Sequence, residues 1–203
     1  MPLNPAWSSR AQSAPDVIAR VRSGDRAFVH GAAATPVGLL EALAARADLD
    51  GVSMHHLHTM GCRRIFDRDV TPRVRSVSFF VGPDARVAVD EGRADFMPVF
   101  LSDIPSLFLT HAIPLDVAIV QLSPPDEHGY CSLGTSVDAA RAAVDEAKIV
   151  LAEINDRMPR THGNTVIPLS RVAAFTRTDR ALPEPAVAAE TEADARIGEL
   201  VAE

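Results

Sequence analysis

Apolar residues recur along this chain at two spacings in turn, every second position and then every third or fourth, which predicts strands separated by helices. Residues 1–14 read as a loose arm, and a short helix is expected between Pro15 and Gly24, with Pro near its start and Gly past its end. Residues 26–30 form the first expected strand. Gly31, Ala32, Ala33 and Ala34 end it, Thr35 and Pro36 have the character of an N-cap and a first helical residue, and Leu39, Leu40 and Leu43 put an apolar stripe on a helix to about residue 47.

Further strands are expected at 52–58, 74–81, 94–100, 117–122 and 148–154, with short helices at 82–92 and 103–109. A longer helix is expected at 136–147, capped by Ser136, with Val137, Ala140 and Val144 along one side. A last strand or hairpin at 165–176 is limited by Pro168 to an edge or a break. Strands alternating with helices define an α/β fold with a largely parallel sheet flanked by helices. Its expected extent is 15–180. Pro183, Glu184 and Pro185 make a linker, and 188–203 reads as a helix with Ala189, Ile197, Leu200 and Val201 as apolar positions. We take 181–203 as the linker and first helix of a second domain outside this chain.

Composition narrows the partners. At 203 residues and 47% hydrophobic content the chain can bury a core. A formal charge of -7 argues against phosphate backbones and anionic membranes, so neither nucleic acid nor membrane is expected as a partner. Arg63, Arg64 and Arg68 are interrupted by acids and read as a solvated loop. No apolar signal core lies in the first residues, and nothing approaches the roughly 20 apolar residues that span a bilayer, so a cytoplasmic location is expected. Cys62 and Cys131 are isolated in sequence and read as reduced, structural thiols.

The most distinctive segment is the strand at 117–122 followed by Ser123, Pro124, Pro125, Asp126, Glu127, His128, Gly129, Tyr130, Cys131, Ser132, Leu133 and Gly134. An apolar strand here delivers its carboxyl end to a polar loop stiffened by prolines and turned at Gly129, and in open α/β sheets ligands bind at that edge. This loop resembles one of the acetyl-CoA hydrolase/transferase family, which includes 4-hydroxybutyrate and succinyl-CoA:acetate transferases. Two further stretches are similar to elements of that family: Phe100, Leu101, Ser102, Asp103, Ile104, Pro105, and later Met158, Pro159, Arg160, Thr161, His162, Gly163, Asn164. The ordered matches cover about residues 15–203.

The resemblance implies a coenzyme A transferase-like (NagB/RpiA-like) domain, the amino-terminal one of two facing α/β halves. It implies an acyl-CoA and a small carboxylic acid as substrates, with no permanently bound cofactor and coenzyme A entering as a thioester. It also implies a glutamate nucleophile, acylated and then converted to a glutamyl-CoA thioester, carried by the second half. No catalytic residue is therefore expected in this chain. Glu127 occupies a variable position of the loop and reads as a solvated turn residue.

Gly31, Ala32, Ala33, Thr35 and Pro36, a turn of small side chains with free N–H groups before a helix, suit a carboxylate or an oxyanion, and equally suit close packing. The similar turn in the family helps line the carboxylic-acid pocket. Ser123, Pro124, Gly129, Tyr130 and Gly134 are expected to form the facing wall, with Tyr130 either at the pocket rim or in the core. His55, His56, His58 and Cys62 look like a metal cluster, but strand alternation sends His56 and His58 to one face and His55 to the other, so no metal is expected. His58, at a strand end, can approach the pocket. The expected function is half of a transferase or hydrolase, completed in cis or in trans by the second half, in an oligomer. The alternatives are a non-catalytic acyl- or CoA-binding regulatory module, or a truncated product with exposed apolar surface.

Overall fold

The computed structural model describes residues 5–184 and 189–202. Ser13 starts α1 (Ala14–Ile18), its hydroxyl accepting the Asp16 N–H at 3.3 Å. There follow β1 (Arg26–Val29), α2 (Val37–Ala45), β2 (Val52–His56), β3 (Val74–Ser78), α3 (Pro83–Asp90), β4 (Asp95–Phe96) and α4 (Ile104–Leu109). The second half of the domain holds β5 (Val117–Leu122), β6 (Tyr130–Ser132), α5 (Ala140–Glu146), β7 (Ile149–Asn155), β8 (Val166–Pro168) and β9 (Val172–Thr178), and α6 (Glu192–Ala202) comes last.

Seven strands form one sheet in the order β4-β3-β2-β1-β5-β7-β9. All of its pairings are parallel. The chain winds outward from β1 to β4 on one side, then returns to the centre and winds outward through β5, β7 and β9 on the other. The direction of winding therefore reverses between β1 and β5, where adjacent loops leave the sheet on opposite faces and open a crevice. A separate antiparallel ribbon joins β6 to β8.

Period-two alternation divides the buried residues between two cores. Ala27, Val29, Val52, Met54, Val117, Ile119 and Leu151 pack under α1, α2 and α3. Phe28, Leu57, Ala118, Val120, Leu122, Ala152 and Ile154 pack under α4 and α5. Phe28 meets Phe108 edge to face at 5.5 Å, and Phe108 meets Phe79 at 6.1 Å.

Several expected boundaries shift, each for a local reason. The turn after β2 pairs with the turn after β1, and β2 ends at His56 rather than 58. Only Asp95 and Phe96 of the expected 94–100 strand pair, because β4 is an edge beside β3. Ser136 does not cap α5: the helix begins at Ala140, whose N–H is bound by Asp138 Oδ1 at 3.0 Å. Pro168 is indeed a break, dividing β8 in the ribbon from β9 in the main sheet. From Pro5 onward the expected loose arm is docked: Trp7 packs on Phe175 at 5.8 Å beneath the Arg177 guanidinium, and the Gln12 N–H donates to the Phe175 carbonyl at 2.9 Å. In the tail, Ala188 and Glu203 lie outside the described residues, and α6 opens on Thr191, whose hydroxyl accepts the Asp194 N–H.

Candidate functional site

At the carboxyl ends of the central strands the row facing α2 changes from apolar to polar. On β5 Ile119 gives way to Gln121, and on β7 Leu151 gives way to Glu153 and Asn155, with Gln121 opposite Glu153. All three polar residues are buried and all are bonded. Gln121 Nε2 donates to the Thr35 carbonyl at 3.0 Å, and its Oε1 accepts from Asn155 Nδ2 at 2.8 Å. Glu153 Oε2 accepts the N–H groups of Gly38 and Leu39 at 2.8 and 3.3 Å, and Oε1 pairs with Arg180 Nε at 2.8 Å. None of these four side chains was singled out as a site residue from sequence. For Gln121, Glu153 and Asn155 the available signal is a polar residue at period two inside an otherwise apolar strand end, and Arg180, past the end of β9, carries none.

The turn at 31–36 sits directly above this layer. Ala32 adopts φ 50°, a left-handed conformation unusual for a residue with a Cβ. Gly31 is required by contact, since a Cβ there would lie 2.7 Å from the His58 carbonyl oxygen. The expectation of free N–H groups is corrected. Those of Ala32, Ala34, Thr35 and Val37 donate to the carbonyls of His58, Gly31, Ala32 and Thr35, and Glu153 occupies the first amides of α2. Pro36 stands at the cap position, so Thr35 is not the N-cap. Its hydroxyl instead donates to the Ala32 carbonyl at 2.7 Å and accepts the Met60 N–H at 3.0 Å. The turn is thus held from three sides as a rigid unit.

Across the crevice, the loop after β5 and the Met-Pro-Arg-Thr-His-Gly stretch pack on each other. Asp126 Oδ1 accepts the N–H groups of His128 and Tyr130, and Arg160 binds Asp126 Oδ2 at 2.6 Å and the Tyr130 carbonyl at 2.8 Å. Burial works to raise the Asp126 pKa, but the Tyr130 and His128 N–H groups and the Arg160 charge outweigh it and hold the carboxyl below its usual range. Ser123 is fully buried, and its hydroxyl accepts from the Ser132 N–H at 2.9 Å. Gly134, at φ 68°, lies under Met158, whose Sδ would be 2.0 Å from a Cβ. Thr161 donates its hydroxyl to the Gly134 carbonyl. Ser123 and Gly134 therefore shape the loop from beneath, while Tyr130 is 44% exposed at its surface and is no core residue.

His30 joins the two walls. Its Nδ1 accepts the Gln121 N–H at 3.4 Å, which places the ring proton on Nε2, against the Ser136 carbonyl. Burial pulls its pKa down against the opposing charge of Asp138, so the ring is neutral and rigidly held.

Beside the turn, a cavity of about 500 Å³ is lined by Leu57, His58, Phe79, Phe80, Phe100 and Ile104 among others. His58 is its polar member, wedged between Gly31 and Gly82, and its Nδ1 is buried with no hydrogen-bond partner among the described residues. His55 stacks on Phe79, whereas His56 lies on the other face against Ser76 Oγ at 2.7 Å, so the histidines do not converge. Among the described residues no group of three or more His, Cys, Asp or Glu could hold a metal. Burial pushes the Cys62 thiol up to about 11 and that of Cys131 to about 12, leaving both unreactive. Glu127 is solvated, 81% exposed beside His128. A larger hollow of about 570 Å³ at Arg20, Asp25, Asp116 and Lys148 lies at the amino edge of the sheet, away from the crevice.

A doubly wound parallel sheet with polar loop clusters at its switch point defines an α/β domain of the class that binds ligands at the carboxyl ends of its strands. Residues 4–187 match the acetyl-CoA hydrolase/transferase N-terminal domain, and the chain belongs to that family. It is 36% identical over 202 residues to a succinyl-CoA:acetate/propanoyl-CoA:succinate CoA transferase of Fasciola hepatica, covering 98% of this chain and 41% of that protein. It is 34% identical over 179 residues to the 4-hydroxybutyrate coenzyme A transferase of Clostridium kluyveri, covering 88% of this chain and 42% of that one. RipA from Yersinia pestis superposes with a TM-score of 0.84 at 25% identity, over 92% of this chain and 46% of its own. A 4-hydroxybutyrate CoA-transferase from Porphyromonas gingivalis gives 0.73 at 28% identity, over 87% and 41%. The chain thus spans less than half the length of these relatives.

Proposed function

We propose that this chain forms one wall of the active site of a coenzyme A transferase or acyl-CoA hydrolase. In this reading the substrates are an acyl-CoA thioester and a small carboxylic acid, and coenzyme A passes through a glutamyl thioester. The glutamate lies on a segment beyond this chain, supplied in cis or in trans. Gly31, Ala32, Ala33, Thr35 and Pro36 form one side of the carboxylic-acid pocket. Pro124, Gly129 and Tyr130 face them, with Ser123 and Gly134 setting the loop from below. The apolar cavity beside His58 takes the hydrocarbon part of the acyl group.

The observation that carries this is the arrangement at the β1/β5 switch point, where Gln121 at the end of β5 is bonded to Thr35 of the turn at 31–36 and His30 is bonded to Ser136 just past the loop at 123–134, in a chain whose relatives are named as coenzyme A transferases. The accessible glutamate of that loop, Glu127, is 81% exposed to solvent with the exposed His128 ring 3.7 Å away, so water screens its carboxylate and it is a poor nucleophile. Radiolabelled acetate exchange into acetyl-CoA tests the proposal. The expected outcome is exchange when this chain is combined with a carboxyl-terminal segment from a relative such as the Clostridium kluyveri enzyme, and none with this chain alone.

A further inference from the structure

Helix α2 takes its cap from a distance. Pro36, at the cap position, offers no side-chain bond, and the amides of Gly38 and Leu39 are bound instead by Glu153, 115 and 114 residues away. Gly38 admits the carboxylate closely, since a Cβ there would lie 3.0 Å from Glu153 Oε2. The other carboxylate oxygen is gripped by Arg180, just past the end of β9, and Arg180 Nη2 reaches the Thr35 carbonyl at 2.8 Å. The Arg180 carbonyl accepts from Asn155 Nδ2 at 3.0 Å, and Asn155 is bonded in turn through Gln121 to that same Thr35 carbonyl. The ring of bonds is closed, and it ties four separate pieces of chain together, the turn with the start of α2, β5, β7 and the segment after β9. Pro183 follows against the Gly61 and Val37 neighbourhood, so the exit segment lies across the carboxyl edge of the sheet.

We propose that Glu153 and Arg180 are positioning residues, a clasp that makes the placement of the turn at 31–36 depend on the segment leaving the domain at 179–184. Arg180 is the exposed half of the pair, at 26% against 1% for Glu153. A displaced exit segment would strip a buried carboxylate of its counter-charge and remove one donor from the Thr35 carbonyl. The turn would then lose support at Thr35, whose hydroxyl also holds Met60 beside the His58 cavity. A chain segment attached after residue 184 is thereby coupled to the turn mechanically. The clasp itself stands apart from the proposed transferase chemistry, and only its consequence for catalysis rests on that reading.

The test is amide hydrogen exchange and limited proteolysis of this chain, with Arg180→Ala, Arg180→Lys and Glu153→Gln. Arg180→Ala is expected to speed exchange at Val37, whose N–H donates to the Thr35 carbonyl, and at Gly38 and Leu39 about tenfold or more, and to open 181–184 to cleavage, while Ile119 and Leu151 in the sheet change less than about twofold. Arg180→Lys, which keeps a charge for Glu153 but cannot fork to the Thr35 carbonyl, is expected to restore protection at Gly38 and Leu39 and not at Val37. Glu153→Gln, which keeps an acceptor without the charge, is expected to free the exit segment and leave Gly38 protected. Uniform acceleration of all amides in every variant, or no change at the turn in Arg180→Ala, would overturn the proposal. Neither readout is activity, so the clasp can fail while the transferase reading stands, and the reverse.

Discussion

Gly134 shows how much of the crevice depends on single side chains. Its φ of 68° and the Met158 sulfur above it both exclude a Cβ. Gly134→Ala is expected to lower stability by roughly 2–4 kcal/mol, the sum of left-handed backbone strain and overpacking, read from urea midpoints. Met158→Ala added to it should recover the packing part by clearing the space. From sequence, Gly134 was visible as a loop residue, but its partner 24 positions on was not, because close approach is a tertiary fact. The same is true of Glu153. It lies within an expected strand, and nothing local reveals that a strand end meets a helix start 115 residues away.

Among the elements, β2 carries an unusual load. Burial, aided by the Arg26 charge, brings His55 down to about 4, and burial together with the charges of His55 and His58 brings His56 down to about 3. Unfolded, each titrates near 6.5, so between pH 6.5 and 4 the unfolded chain binds more protons and stability falls as pH falls. The stabilisation is complete above about pH 7 and costs about 2 kcal/mol per histidine by pH 5. Denaturant midpoints at pH 7 and pH 5 check this, with His56→Asn expected to remove about half the drop. A flat profile would show that the folded protein accepts these protons. Period-two alternation was enough to foresee β2 and to assign His55 and His56 to opposite faces. It could not foresee where elements begin, since α5 starts at Ala140 behind the Asp138 carboxylate instead of at a Ser136 cap, and β4 shrinks to the two residues that pair with β3.

At the scale of the whole molecule, the alternation of strands and helices was legible because the two cores draw on alternate residues of each strand. The order of strands, and hence the switch point, was not, because many orders share that alternation. The crevice presents bonded turns, a buried polar layer and an apolar cavity, while the accessible glutamate of its loop is solvated. The most direct test is to incubate this chain and a carboxyl-terminal segment from a relative with acyl-CoA, reduce any glutamyl-CoA thioester with borohydride, and map the altered residue by peptide mass spectrometry. We predict the altered glutamate on the added segment and none on this chain. An altered glutamate on this chain, Glu127 above all, would contradict the account.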